Sequence, residues 1–251
     1  LKRKYDDHHI ERDAMKLDNA IVLVTGANRG LGEEFARQAL ARGARKVYAG
    51  ARDPGTVKLP GVVPVRLDVN DPAQVREAAA ACGDVTLVIN NAGIASPGGL
   101  LEEDSIDALR RMMDTNVYGM LRVSQAFAPV LAANRGGAFL NVLSVASWIS
   151  TPGLAGYAVT KSAAWSVNNG LRIALKEQGT QVLGLHVGFV DTDLTRGIDL
   201  PKLAPAEVVS RAYAALEEGN SEVLIDELSQ NVKRGLSQEP GIYLDVVQRP
   251  A

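Results

Sequence analysis

Cysteine is nearly absent: Cys82 alone occurs in 251 residues. An intrachain disulfide and a cysteine-based zinc site are thereby excluded, and a reducing, cytoplasmic setting is expected. Excess charge is lacking too, since 27 Lys and Arg stand against 29 Asp and Glu, a formal net charge of -2. That balance gives no electrostatic reason to expect a nucleic-acid or anionic-membrane partner. No apolar run reaches the roughly 20 residues that span a bilayer, and the N-terminus shows no secretory apolar region. There is no repeat of solenoid length and no low-complexity segment. His8 and His9 lie in a charged stretch without apolar period, and a histidine pair alone is a weak metal signal. Residues 1–16 are therefore expected to be a flexible, solvated tail or an appended remnant ahead of a start at Met15, with no metal site. Residues 17–251 are expected to form one domain.

What the chain does contain is an alternation of short apolar runs and helical stretches. Strands are predicted over 21–25, 47–50, 62–67, 85–89, 138–143, 181–186 and 222–226. Helices are predicted over 30–42, from 71 with Pro72 in its first turn, over 105–134 as one long element, over 156–177 and over 205–218. This alternation implies parallel strands joined by right-handed crossovers: an α/β, doubly wound parallel β-sheet in a Rossmann-type three-layer sandwich. Ligands in such folds gather beyond the carboxyl ends of the strands, where every motif below falls.

Between the first strand and first helix lies Thr25-Gly26-Ala27-Asn28-Arg29-Gly30-Leu31-Gly32. Glycines admit a phosphate to the backbone, and the helix N-terminus offers free N–H groups and a positive dipole end. The spacing is T-G-x-x-x-G-x-G rather than G-x-G-x-x-G. At the end of the second strand, where an acid would bind the adenosine ribose hydroxyls, stands Ala51, followed by Arg52. Arg52 and Arg29 together suit a 2′-phosphate, so NADP(H) is expected ahead of NAD(H). A competing reading makes the two arginines a solvated pair and has Asp53 bind the ribose.

Tyr157 and Lys161 are four residues apart at the start of a helix and so share a face. A nearby ammonium would lower a phenol from its usual ~10 and fit it for acid/base work. An ordinary helix face would also explain the pair. Three further polar groups accompany it: Asn90-Asn91-Ala92-Gly93 after the fourth strand, Asn116 in the long helix, and Ser144 after the fifth strand. Each has a bland role available singly, as turn amide, helix polar group or strand-end hydroxyl.

In this combination and order, the chain resembles the short-chain dehydrogenases/reductases of the small single-domain subfamily, over about residues 18–226. The resemblance implies an oxidoreductase moving a hydride between nicotinamide and a carbonyl or secondary alcohol. It implies Tyr157 as proton donor and acceptor, Lys161 on the nicotinamide ribose and depressing the tyrosine pKa, Ser144 orienting the substrate oxygen, and Asn116 holding a relay water. It also implies Gly26, Asn28, Arg29, Gly30, Leu31 and Gly32 around pyrophosphate and adenosine, and Arg52 at the 2′-phosphate. Asp68 and Val69 would meet adenine, and Asn91, Ala92 and Gly93 the adenosine ribose side.

After the sixth strand Gly188, Val190 and Thr192 fit the family's nicotinamide-binding segment, but Val187 replaces its proline, which should loosen the turn. Family analogy puts 94–96, 145–146, Trp148, Leu154 and 188–189 around the substrate, mostly apolar, hence a small lipophilic substrate. Trp148 could equally pack in the core or at an interface. The short 193–203 segment implies an open site with loose selectivity. A homodimer or homotetramer is expected by the same analogy. The rival readings are a non-catalytic dinucleotide sensor, an extended-family epimerase or dehydratase, and a structural scaffold.

Overall fold

β1, Ile21–Thr25, is buried along its whole length because it lies inside a seven-stranded sheet, two strands from one edge. The computed structural model describes residues 14–244. Around β1 are ranged β2 (Lys46–Ala51), β3 (Val63–Arg66), β4 (Leu87–Asn90), β5 (Ala138–Val142), β6 (Gln181–His186) and β7 (Glu222–Leu224), in the order β3-β2-β1-β4-β5-β6-β7. Every pairing is parallel. The helices are α1 (Gly30–Ala41), α2 (Pro72–Ala81), α3 (Ser105–Met113), α4 (Met120–Ala133), α5 (Ala155–Ala174), α6 (Pro205–Glu217) and α7 (Glu227–Gly235).

Strand side chains alternate between faces, and both faces are dry. Val22 and Val24 join Phe35 of α1 and Tyr213 of α6 on one side. Ile21 and Leu23 join Val75 of α2, and Phe127 and Leu131 of α4, on the other. This is the doubly wound, three-layer arrangement expected from the sequence. Pro64 falls in β3, at the sheet edge, where a missing N–H removes no ladder bond that a central strand would need.

The long helix predicted over 105–134 is instead three pieces. A π-helical turn, Asp114–Gly119, separates α3 from α4. Side chains bond across that turn: Asn70 Nδ2 donates to Thr115 Oγ1, and Arg122 bonds both the Asp114 carboxylate and the Val69 carbonyl. A Cβ at Gly119 would stand 2.7 Å from Val69 Cγ2, so the Val69 side chain presses on the backbone of the turn there. α7 was not anticipated. Asp226, placed by sequence at the end of the last strand, is its N-cap and accepts from Ser229 N. At the other end Met15 N donates to Gln181 Oε1 and Lys16 Nζ to the Glu217 carbonyl, so these two residues of the expected tail are tied to the body. Residues 1–13 of that tail lie outside the described residues. Among the described residues, no helix is long and apolar enough to cross a membrane.

Candidate active site

The glycine loop takes its shape from β1 and β4. Gly26 (φ +64°) and Gly30 (φ +55°) occupy left-handed backbone conformations that suit glycine. Gly32 is fixed by lack of room, since a Cβ there would lie 2.2 Å from the Gly26 carbonyl oxygen. Asn91 Nδ2 donates to the carbonyls of Thr25 and Gly26, and Thr25 Oγ1 accepts from the N–H groups of Asn91 and Ala92. The amide of Asn91 is thus committed to building the loop, and Thr25 is a structural partner that motif reading left unassigned. Leu31 packs on the core below.

Arg29 precedes α1 and makes no side-chain cap, leaving the first-turn N–H groups of a three-turn helix facing the loop. Together with the close glycine backbone, this is a cradle that fits a pyrophosphate. Arg29 itself bonds Asp193 at 3.1 Å, and Asp193 also pairs with Arg196. Arg52 is exposed just beyond β2, and Asp53 Oδ1 is taken by the N–H of Gly55. Asp68 is held by Gln74 and Asn70, beside buried Val69.

Tyr157 and Lys161 lie on one face of α5, as spacing requires, with Nζ of Lys161 5.5 Å from the phenol ring centroid. The ammonium donates to the Val142 carbonyl at 2.8 Å. Burial lowers Lys161 to about 8. Burial also raises the Tyr157 pKa well above its usual value, opposed only by a hydrogen bond with Ser144. Desolvation outweighs that bond.

Ser144 Oγ accepts from Ala146 N and approaches the Val187 carbonyl at 3.4 Å. Asn116 sits in the π turn and is 4% exposed. Its side chain bonds the N–H and C=O of Ile94 and the hydroxyl of Thr160, which in turn donates to the Tyr157 carbonyl. Asn116 thus ties the segment after β4, which includes Gly93, to the Tyr157 helix.

Beyond β6, the Gly188 N–H donates to Asp226 Oδ2 at 2.5 Å, and the Val187 carbonyl accepts from Val145 N. These bonds offset the looseness expected from the missing proline. Val190 bridges Leu203, closing the base of the 191–203 segment, and Thr192 lies against Gly30. Trp148 stacks on His186 and meets Trp165 edge-on, which is the packing role rather than the pocket-lining one.

A strand-end hydroxyl, a phenol–ammonium pair and a phosphate cradle thus stand together at the carboxyl ends of the strands. Residues 20–202 match the model of the short chain dehydrogenases, and the chain belongs to that family. It is 31% identical over 195 residues to dehydrogenase/reductase SDR family member 7B of Bos taurus, covering 70% of this chain and 60% of that protein's length. It is 28% identical over 244 residues to the 3-oxoacyl-(acyl-carrier-protein) reductase of Salmonella typhimurium, covering 92% of this chain and all of that one. A short chain dehydrogenase from Burkholderia cenocepacia, solved with NADP, superposes with a TM-score of 0.89 at 36% identity, over 94% of this chain and 100% of the other.

Proposed function

We propose that the protein reduces the carbonyl of a small lipophilic substrate with NADPH, Tyr157 being the proton donor. The observation that carries this reading is the half-buried Tyr157 phenol, on one face of α5 with Lys161 and hydrogen-bonded with Ser144. A neutral phenol is the form needed to protonate a developing alkoxide. Ser144 Oγ would hold the substrate oxygen, and the Lys161 ammonium would steady the phenolate left after proton transfer. Asn116 and Thr160 fix the approach of the 94–96 segment to that hydroxyl. A nicotinamide dinucleotide, when bound, supplies the hydride.

The glycine turn and α1 N-terminus would hold the pyrophosphate, with Asp68, Val69 and 91–93 on the adenosine side and Gly188, Val190 and Thr192 near the nicotinamide. Arg52, exposed and in no ion pair among the described residues, and Arg29, paired to Asp193, favour a 2′-phosphate. The alternative acid, Asp53, spends an oxygen on Gly55. Exposed Ile94, Leu194 and Leu200, on segments that follow β4 and β6, favour an apolar substrate. A reducing compartment such as the cytoplasm agrees with Cys82, buried and pushed up to about 11 by desolvation. Exposed Ile106, Tyr118, Val159 and Ile173 on α3, the π turn and α5 support self-association through that face.

Tyr157→Phe tests the central role. Reductase turnover should fall by about a thousandfold or more, while NADPH fluorescence titration shows binding unchanged. A variant as fast as the wild type would remove Tyr157 as the acid. NADPH binding with no turnover of any carbonyl by the wild type would favour the sensor reading.

A further inference from the structure

His186, at the carboxyl end of β6, is fully buried behind Ser144. Its Nδ1 lies 3.0 Å from the Ser144 carbonyl oxygen. A carbonyl only accepts, so Nδ1 carries a proton. The same carbonyl accepts from Ser147 N at 3.0 Å. Two donors therefore hold the peptide that follows the serine. On the far edge of the ring, Nε2 faces Glu222 Oε1 of β7 at 3.5 Å. Trp148 covers one face of the imidazole at 4.0 Å, the planes 18° apart. Lys233 of α7 completes the shell, 3.0 Å from the Glu222 carboxylate and 4.7 and 5.4 Å from the ring centroids of Trp148 and Trp165.

Packing alone does not account for this arrangement. An apolar side chain would fill the space without burying an imidazole edge against a carboxylate. The contact distances also rank the two ends of the ring: the 3.0 Å bond to Ser144 is the shorter. A neutral ring with its proton on Nε2 would set a bare nitrogen against the Ser144 oxygen. Lys233 draws on the same carboxylate and so weakens its pull on that proton.

We propose that His186 is a positioning residue for Ser144, donating from Nδ1 to the serine's carbonyl so that Oγ stays turned toward Tyr157. Glu222 stands behind the ring as the partner of Lys233, 3.0 Å away. The inference deepens the reductase reading above and rests on it, because that reading gives Ser144 its work.

Three substitutions separate the clamp from simple packing. Phenylalanine fills the space and donates nothing, asparagine sets its amide N–H where Nδ1 was, and glutamine sets one nearer Nε2. His186→Phe should lower kcat by about tenfold or more, the worth of one buried hydrogen bond, with the NADPH Kd from fluorescence unchanged. His186→Asn should recover most of that loss, and His186→Gln should not. Full activity in His186→Phe overturns the proposal, as do equal losses in the Phe and Asn variants when their circular dichroism and Tm match the wild type. A second readout does not need turnover: isotope-labelled histidine in the full chain should show His186 protonated at Nδ1. A bare Nδ1 overturns the clamp in an active enzyme. A protonated Nδ1 in a wild type that turns over no carbonyl supports the clamp and refutes the reductase reading instead.

Discussion

Lys161 is 7% exposed, and burial brings its pKa from 10.5 to about 8. Holding an ammonium there at neutral pH costs the folded state about 3 kcal/mol at 1.36 kcal/mol per unit. The unfolded chain binds the extra proton between pH 8 and 10.5, so stability contributed at this site rises with pH across that window. Lys161→Met keeps the length and removes the charge. It also removes the 2.8 Å bond to the Val142 carbonyl, worth about 1.5–3 kcal/mol for a charged donor. At pH 7 the two effects nearly cancel, and the variant should match the wild type within about 2 kcal/mol. Above pH 8 the penalty fades in the wild type alone, so the variant should lose ground steadily, by more than about 2 kcal/mol by pH 10. Urea denaturation of both proteins at pH 7, 8, 9 and 10 measures the difference directly. Parallel stabilities across the series would refute the claim that this ammonium is buried and depressed.

Arg52→Ala should raise the Kd for NADPH by about tenfold, one charged phosphate contact, and leave that for NADH almost unchanged; equal effects would contradict the cofactor reading. Gly32→Ala puts a Cβ 2.2 Å from the Gly26 oxygen and 2.5 Å from Asn91 Nδ2. It should cost about 1–3 kcal/mol by denaturation and abolish nucleotide binding. Ile106→Glu combined with Ile173→Glu should convert an oligomer to monomer in light scattering, and a wild type already monomeric at micromolar concentration would remove the self-association proposal.

The parallel, doubly wound sheet and most of its strands and helices were legible in the sequence because the inner strands are short apolar runs whose two faces are both buried. The glycine loop was legible because left-handed positions such as Gly26 and Gly30 admit few other residues. The π turn was not, since residues 105–134 carry a continuous helical period and the turn depends on contacts with Val69 and Asn70 from a distant segment. α7 escaped notice because it has only nine residues and most of them are polar. Spacing finds the lysine beside Tyr157 but says nothing of burial, which raises the phenol and lowers the ammonium. His186 stands directly before the segment read as nicotinamide-binding, but its surroundings come from distant pieces: the turn after β5, β7, α5 and α7.

Asp226 serves two masters: one oxygen starts α7 and the other grips the Gly188 amide. The stretch matched by the family, 20–202, ends before this carboxylate. The segment after that stretch is therefore a buttress for the turn beyond β6, and grafting it from a relative without an acid at this position would leave that amide to water.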